Sequence, residues 1–276
     1  MKHRFAALLG AAFAVLAPSL AGAEEPSWRF TTGADYSTGR YGEPVGTNVL
    51  FVPLTAKAIL GNWSFRLSTG FLNIHGPADV AVIDDSGGGG AGGAGSGGGV
   101  DPTGATIPPD NRNGLGDTTL GVDYTTSDMW GTPLYADFGA RLRLPTGNRA
   151  QGLGVGATDE ILNLELGSDW GDGGFYVSAG RRFLGDSKFF ARKDGYQFGL
   201  GGWYDFATYY EVGAYYEYRN ASSATLPDPK DVGIYLSYKI ASEWKLQLDA
   251  SKGLSSGAAT NDIGLYITYR PDGGYR

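Results

Sequence analysis

The chain of 276 residues has no cysteine, 46 glycines, and 13 Phe, 17 Tyr and 6 Trp against only 18% charged side chains. Without cysteine there is no disulfide framework, thiolate nucleophile or Cys-ligated metal centre, and two histidines, His3 and His75, leave little for His-based chemistry. A formal charge of -7 argues against a nucleic-acid partner, whose phosphates are held by Lys and Arg, and the richness in glycine and aromatics predicts an all-β chain.

Residues 1–23 read as a cleaved signal peptide. Lys2-His3-Arg4 is a basic start, Phe5 to Leu16 an apolar stretch, and Ala21-Gly22-Ala23 a small-residue cleavage site. The apolar stretch, interrupted by Pro18, is too short to span about 30 Å of hydrocarbon. Cleavage removes Lys2 and Arg4 and leaves 20 basic against 29 acidic residues in 24–276. Export by this signal and the absence of a long apolar run leave a soluble exported protein or a membrane β-barrel.

From Trp28 onward, segments of about ten alternating residues separated by turn residues predict twelve strands. They are Trp28 to Ser37, Asn48 to Leu60, Trp63 to His75, Leu115 to Ser127, Pro133 to Leu144, Asp159 to Trp170, Phe175 to Leu184, Gly195 to Phe206, Tyr209 to Asn220, Asp231 to Ile240, Trp244 to Leu254 and Asn261 to Arg270. In Asp231 to Ile240, Val232, Ile234, Leu236, Tyr238 and Ile240 share one face, and Asp231, Gly233, Tyr235, Ser237 and Lys239 the other. Pro133 to Leu144 repeats this, with Leu134, Ala136, Phe138, Ala140 and Leu142 opposed to Tyr135, Asp137, Gly139, Arg141 and Arg143. Pro53, inside the second segment, predicts a bulge or a shortened strand.

A soluble sandwich also alternates, but the connections here run long, short, long, short along the chain. That is the rule of an antiparallel up-and-down transmembrane β-barrel with short periplasmic turns and longer extracellular loops. Trp28, Trp63, Trp130, Trp170, Trp203 and Trp244 all fall near the short-turn rim, as membrane-interface aromatics would. The longest connection, 76–113, contains the run Gly87 to Gly99, ten of whose thirteen residues are glycine. It lacks the Lys-Ser/Thr of a phosphate cradle and predicts a disordered extracellular segment. The last strand, with Gly264, Ile267 and Tyr269 at its signal positions, resembles the C-terminal mark read by the outer-membrane assembly machinery.

Three stretches resemble one family more specifically. Gly114-Leu115-Gly116-Asp117 opens a strand, Arg143-Leu144-Pro145-Thr146-Gly147 closes the next, and Leu153-Gly154-Val155-Gly156 leads to Asp159. Together they resemble the outer-membrane family named for the meta-pathway of phenol degradation, clearest over Gly114 to Gly180. The resemblance implies a barrel in the Gram-negative cell outer membrane that transports aromatic or other small organic compounds, and it transfers no catalytic or binding residue.

With apolar faces toward outer-membrane lipid, the interior is charged, its acidic residues outnumbering its basic ones, which argues against phosphate or acidic oligosaccharides as the favoured solute. The pore-lining candidates are Lys57, Arg66, Asp123, Asp137, Arg141, Arg143, Glu165, Tyr215, Glu217, Tyr235, Asp249 and Tyr266. The bland reading makes the charges cross-strand pairs, with Arg141 or Arg143 near Glu165. The sharper one makes Asp137, Arg141, Glu165 and Asp249, with Tyr215, Tyr235 and Tyr266, a mid-height constriction. The expected function is a channel for small-molecule solutes, needing no cofactor, no metal and no catalysis. The competing readings are a plugged structural or adhesive barrel and an outer-membrane lipid hydrolase using His75, which lacks a serine two residues on, where Pro77 stands.

Overall fold

A computed structural model describes residues 25–83, 99–106, 111–187, 191–272 and 274. The expected signal peptide and most of the Gly87 to Gly99 run lie outside the described residues. Strands follow the alternating segments closely. They are β1 (Ser27–Gly39), β2 (Thr47–Leu60), β3 (Trp63–His75), β4 (Ala78–Ile83), β5 (Gly99–Thr106), β6 (Asn111–Leu115), β7 (Thr118–Thr126), β8 (Leu134–Leu144), β9 (Asp159–Asp169), β10 (Gly173–Phe183), β11 (Gly195–Ala207), β12 (Tyr210–Arg219), β13 (Lys230–Lys239), β14 (Trp244–Gly253) and β15 (Asn261–Tyr269).

Neighbours in sequence pair antiparallel, and β1 pairs β15 from Phe30↔Tyr269 to Thr38↔Asn261, closing the sheet. With β6 and β7 counted as one interrupted strand, the barrel has twelve. Closure removes the bare N–H and C=O groups an edge would present, which is what a strand-built wall in hydrocarbon requires. Register is set by tight turns such as Gly61-Asn62, where Leu60 faces Trp63 and Gly61 adopts φ 55°, a left-handed value that suits glycine.

Three features differ from the sequence expectation. The 76–113 connection is not wholly irregular: β4 and β5 form a separate two-stranded ribbon, and β6 extends the fourth barrel strand outward from Leu115. Pro53 causes no bulge. It pairs with Gly70 of β3 in unbroken register, and on the β1 side the ladder skips Val52 and Pro53 and resumes at Phe51 without a shift. A proline without an N–H is absorbed by dropping a few bonds on one side. The bulge falls instead between β6 and β7. Phe71 faces Leu115 and Ser68 faces Thr119, so four steps of one strand oppose three of the other. The extra residue sits in Gly116-Asp117, and bulges re-aim side chains.

Burial is the reverse of a water-soluble fold. Phe138, Leu200 and Ile234 on the outer face are 52%, 53% and 61% exposed, whereas Asp249, Glu165 and Arg182 on the inner face are 1% exposed. A continuous apolar belt around the barrel exceeds the few hundred Å² of contiguous apolar surface a soluble monomer tolerates.

Candidate functional site

The interior wall is built in rows, because cross-strand neighbours on one face stand side by side. Tyrosines come first. Tyr135, Tyr176, Tyr215, Tyr235 and Tyr266 each lie over a glycine of an adjacent strand, Gly167, Gly201, Gly233, Gly213 and Gly33 respectively, and Tyr266 also covers Gly264 of its own strand. A Cβ added to Gly201 would come within 2.7 Å of the Tyr176 ring, so these rings occupy space that only glycine leaves. They are therefore held flat against the wall instead of crossing the interior. Four of the hydroxyls meet carboxylates. Tyr135 donates to Glu165 at 2.8 Å, Tyr215 to Asp249 at 2.9 Å and Tyr266 to Asp35, while Tyr235 bonds Glu211.

Arg141 and Arg143 hold carboxylates other than the expected Glu165. Glu165 stands opposite Asp137 and accepts from Tyr135. Arg141 reaches across Gly121 to Asp123 at 2.5 Å, and Ser64 also donates to Asp123 at 3.1 Å. Arg143 pairs with Asp159, which is fully buried and is gripped again by Arg192 at 2.5 and 2.7 Å. Asp137 accepts from Thr125 at 2.6 Å, and Glu217 lies 3.6 Å from Arg219. The single constriction ring drawn from the sequence is thus spread over separate clusters: Arg141 belongs with Asp123, Asp249 with Tyr215.

The structure adds a site the sequence reading missed. At the long-loop rim, Val49 and Phe51 of β2 and Leu72 and Ile74 of β3 point inward and pack with Tyr41 and Leu153 as a buried apolar cluster. Leu153 comes from the 145–158 loop, which folds into the mouth. Asp117, re-aimed by the bulge, accepts the N–H of Gly147 at 3.0 Å and of Val155 at 2.9 Å, tying both arms of that loop. Gly116 accepts from Thr146, and a Cβ added to it would stand 3.6 Å from the Leu153 carbonyl oxygen. A Cβ on Gly147 would overlap the Leu153 carbonyl, and one on Gly154 would overlap the Asp117 carboxylate. The three motifs that carry the family resemblance therefore meet at one latch. The available signal was Val49 to Leu54, a stretch apolar on both faces instead of one.

Five tryptophans sit at the short-turn rim on the outer face or in the turns, with Trp130 84% exposed. Trp63 packs on Tyr124 at 4.8 Å and Trp244 on Tyr269 at 4.6 Å. Trp203 differs. It shares parity with Gly201 and Asp205, and its ring covers Gly174 on the inner face, so it is not an interface ring. His75 is exposed at the outer end of β3, opposite Asn48 and Asn111, with no serine opposite it in either ladder.

These features define a class: a closed twelve-stranded barrel, apolar outside and ionic inside, with the fold of outer-membrane barrels. Two solved structures share that fold. An outer-membrane channel from Pseudomonas putida F1 superimposes with a TM-score of 0.63 at 12% identity, over 90% of this chain and 96% of that one. The KdgM porin gives 0.50 at 12% identity, over 87% and 98%. No protein-family profile and no curated protein sequence matches the chain.

Proposed function

We propose that the protein is an outer-membrane channel that lets small organic solutes diffuse through a narrow, charged interior. The observation that carries this reading is the inside-out distribution of polarity around a closed barrel whose large interior rings lie flat on glycine. Barrels of about eight strands are filled by side chains and those of sixteen leave a wide aqueous channel, so twelve suits a narrow pore. The Gly-Leu-Gly-Asp, Leu-Pro-Thr-Gly and Leu-Gly-Val-Gly motifs and their common latch support placing the chain beside the meta-pathway family of small-organic-compound transporters. No described helix is long and apolar enough to span a membrane.

The buried cluster around Leu153 favours a second reading, a plugged structural or adhesive barrel. Planar-bilayer recording on residues 24–276 separates the two. Discrete conductance steps support the channel, and a folded, heat-modifiable barrel without current overturns it.

A further inference from the structure

Five adjacent strands place four cations on one line. Arg29 of β1 faces Lys57 of β2, Lys57 faces Arg66 of β3, Arg66 faces Gly121 of β7, and Gly121 faces Arg141 of β8. All point inward, sharing parity with the buried positions of their strands, which for Lys57 are Thr47, Val49 and Phe51. The one position that is not basic is the glycine over which the Arg141 side chain lies. Like charges directly opposite one another destabilise a sheet. A wall that needed only filling would not set like charges opposite one another twice in succession. Acidic groups are also near: Asp123 is paired with Arg141, and Asp137 is bonded to Thr125. The charges acting on Lys57 are chiefly the cations Arg66, Arg29 and Arg141, with Asp123 as the opposing carboxylate.

The next inward row toward the long-loop rim is Thr31, Thr55, Ser68 and Thr119, facing one another in the same order. Thr55 and Ser68 lie 3.1 Å apart, and Thr31 lies 3.0 Å from Thr268. Hydroxyls beside guanidinium and ammonium groups are the donors that replace the hydration of a carboxylate. By strand order the row faces β11 to β14, where Tyr215 and Tyr235 and the carboxylates Asp205, Glu211, Glu217, Asp231 and Asp249 stand. Charge is thus sorted around the wall, which the net acidity of the interior conceals.

We propose that the Arg29–Lys57–Arg66–Arg141 row is a binding track for the carboxylate of small organic acids. Binding stands on the row alone, and passage along it rests on the channel reading. The test folds residues 24–276 in detergent, with a gel mobility shift on heating as the check of folding. Benzoate and its neutral counterpart benzyl alcohol are titrated by calorimetry into the wild type, Lys57→Gln, Lys57→Gln/Arg66→Gln and Lys239→Gln. Lys239 is an inward lysine of β13 outside the row. We expect benzoate to bind more tightly than benzyl alcohol, and the double variant to weaken benzoate roughly tenfold. Lys239→Gln should change it less than about twofold. Should the double variant not fold, Lys57→Gln alone should still weaken benzoate severalfold. In bilayers under a salt gradient, the same substitutions should shift the reversal potential toward cation preference. Benzoate binding equal in wild type and row variants, or no tighter than benzyl alcohol, overturns the track. Current in all variants with row-independent binding sinks the track and keeps the channel, whereas row-dependent binding without current sinks the channel and keeps the track.

Discussion

The two ends of the β2–β3 wall are made from the same ladder and do opposite things. Near the long-loop rim its inward residues, Val49, Phe51, Leu72 and Ile74, are a conventional apolar core covered by Tyr41 and Leu153. Tyr41 reaches that core by adopting φ 50° and donating to Ser37 at 2.9 Å. Near the short-turn rim the inward residues are Lys57 and Arg66, directly opposed. The first end is arranged for stability and the second at its expense. Alternation therefore says which side of a strand is inside, but not whether that inside is a core or a passage.

If this contrast is right, substitutions should change sign along the wall. The largest expected effect is Asp159→Ala, which strips Arg143 and Arg192 of a buried partner and should cost about 3–5 kcal/mol, read as a lower unfolding temperature of the heat-modifiable form. Leu72→Ala removes a side chain 1% exposed in the mouth cluster and should cost about 2–5 kcal/mol by the same assay. Asp117→Asn leaves one carbonyl to serve two N–H donors. It should cost about 1–2 kcal/mol and raise single-channel conductance as the 145–158 loop loosens. Lys57→Gln reverses the sign, stabilising by about 0.2–1 kcal/mol through relief of like-charge contact. A destabilised Lys57→Gln barrel would erase the contrast.

The smallest effect concerns pH. In the 220–229 loop, burial works against the charged form of Asp228, but hydrogen bonds from Tyr218, the Ala221 N–H and Asn220, with Lys193 nearby, hold its carboxyl below the usual range. A depressed carboxylate stabilises above its ordinary titration range, and that contribution disappears as pH falls through the lowered value. Amide exchange at Ala221 should therefore stay protected at neutral pH and quicken only below about pH 4, and Asp228→Asn should abolish that acid dependence.

Strand positions were legible in the sequence because period-two polarity has one structural solution, and eleven of the twelve segments match to within two residues at each end. The fourth did not, because Gly114 read as the end of the long connection, while a bulge at Gly116-Asp117 lets the strand run on outward as β6. Trp203 was assigned by its nearness to a rim, whereas its parity with Asp205 sets its face. The basic row was within reach. A two-residue turn at Gly61-Asn62 fixes Leu60 against Trp63 and hence Lys57 against Arg66. The partners of Arg141 and Arg143 were not, since they depend on register across the longer connections 127–133 and 145–158. The mouth latch joins residues 38 apart through a bulge that no local pattern announces.

The seam between β1 and β15 ties the order of manufacture to the finished wall. Thr31 meets Thr268 and Asp35 meets Tyr266, residues 237 and 231 positions apart. The first strand to emerge from synthesis thus waits for the last one, its hydrogen-bonding edge open throughout. A chain interrupted before Asn261 would carry two mutually complementary edges and no means of satisfying both except in another copy of itself. Sealing is a single late event, and until it happens the unfinished barrel shares the open strand edges of a seed of aggregation.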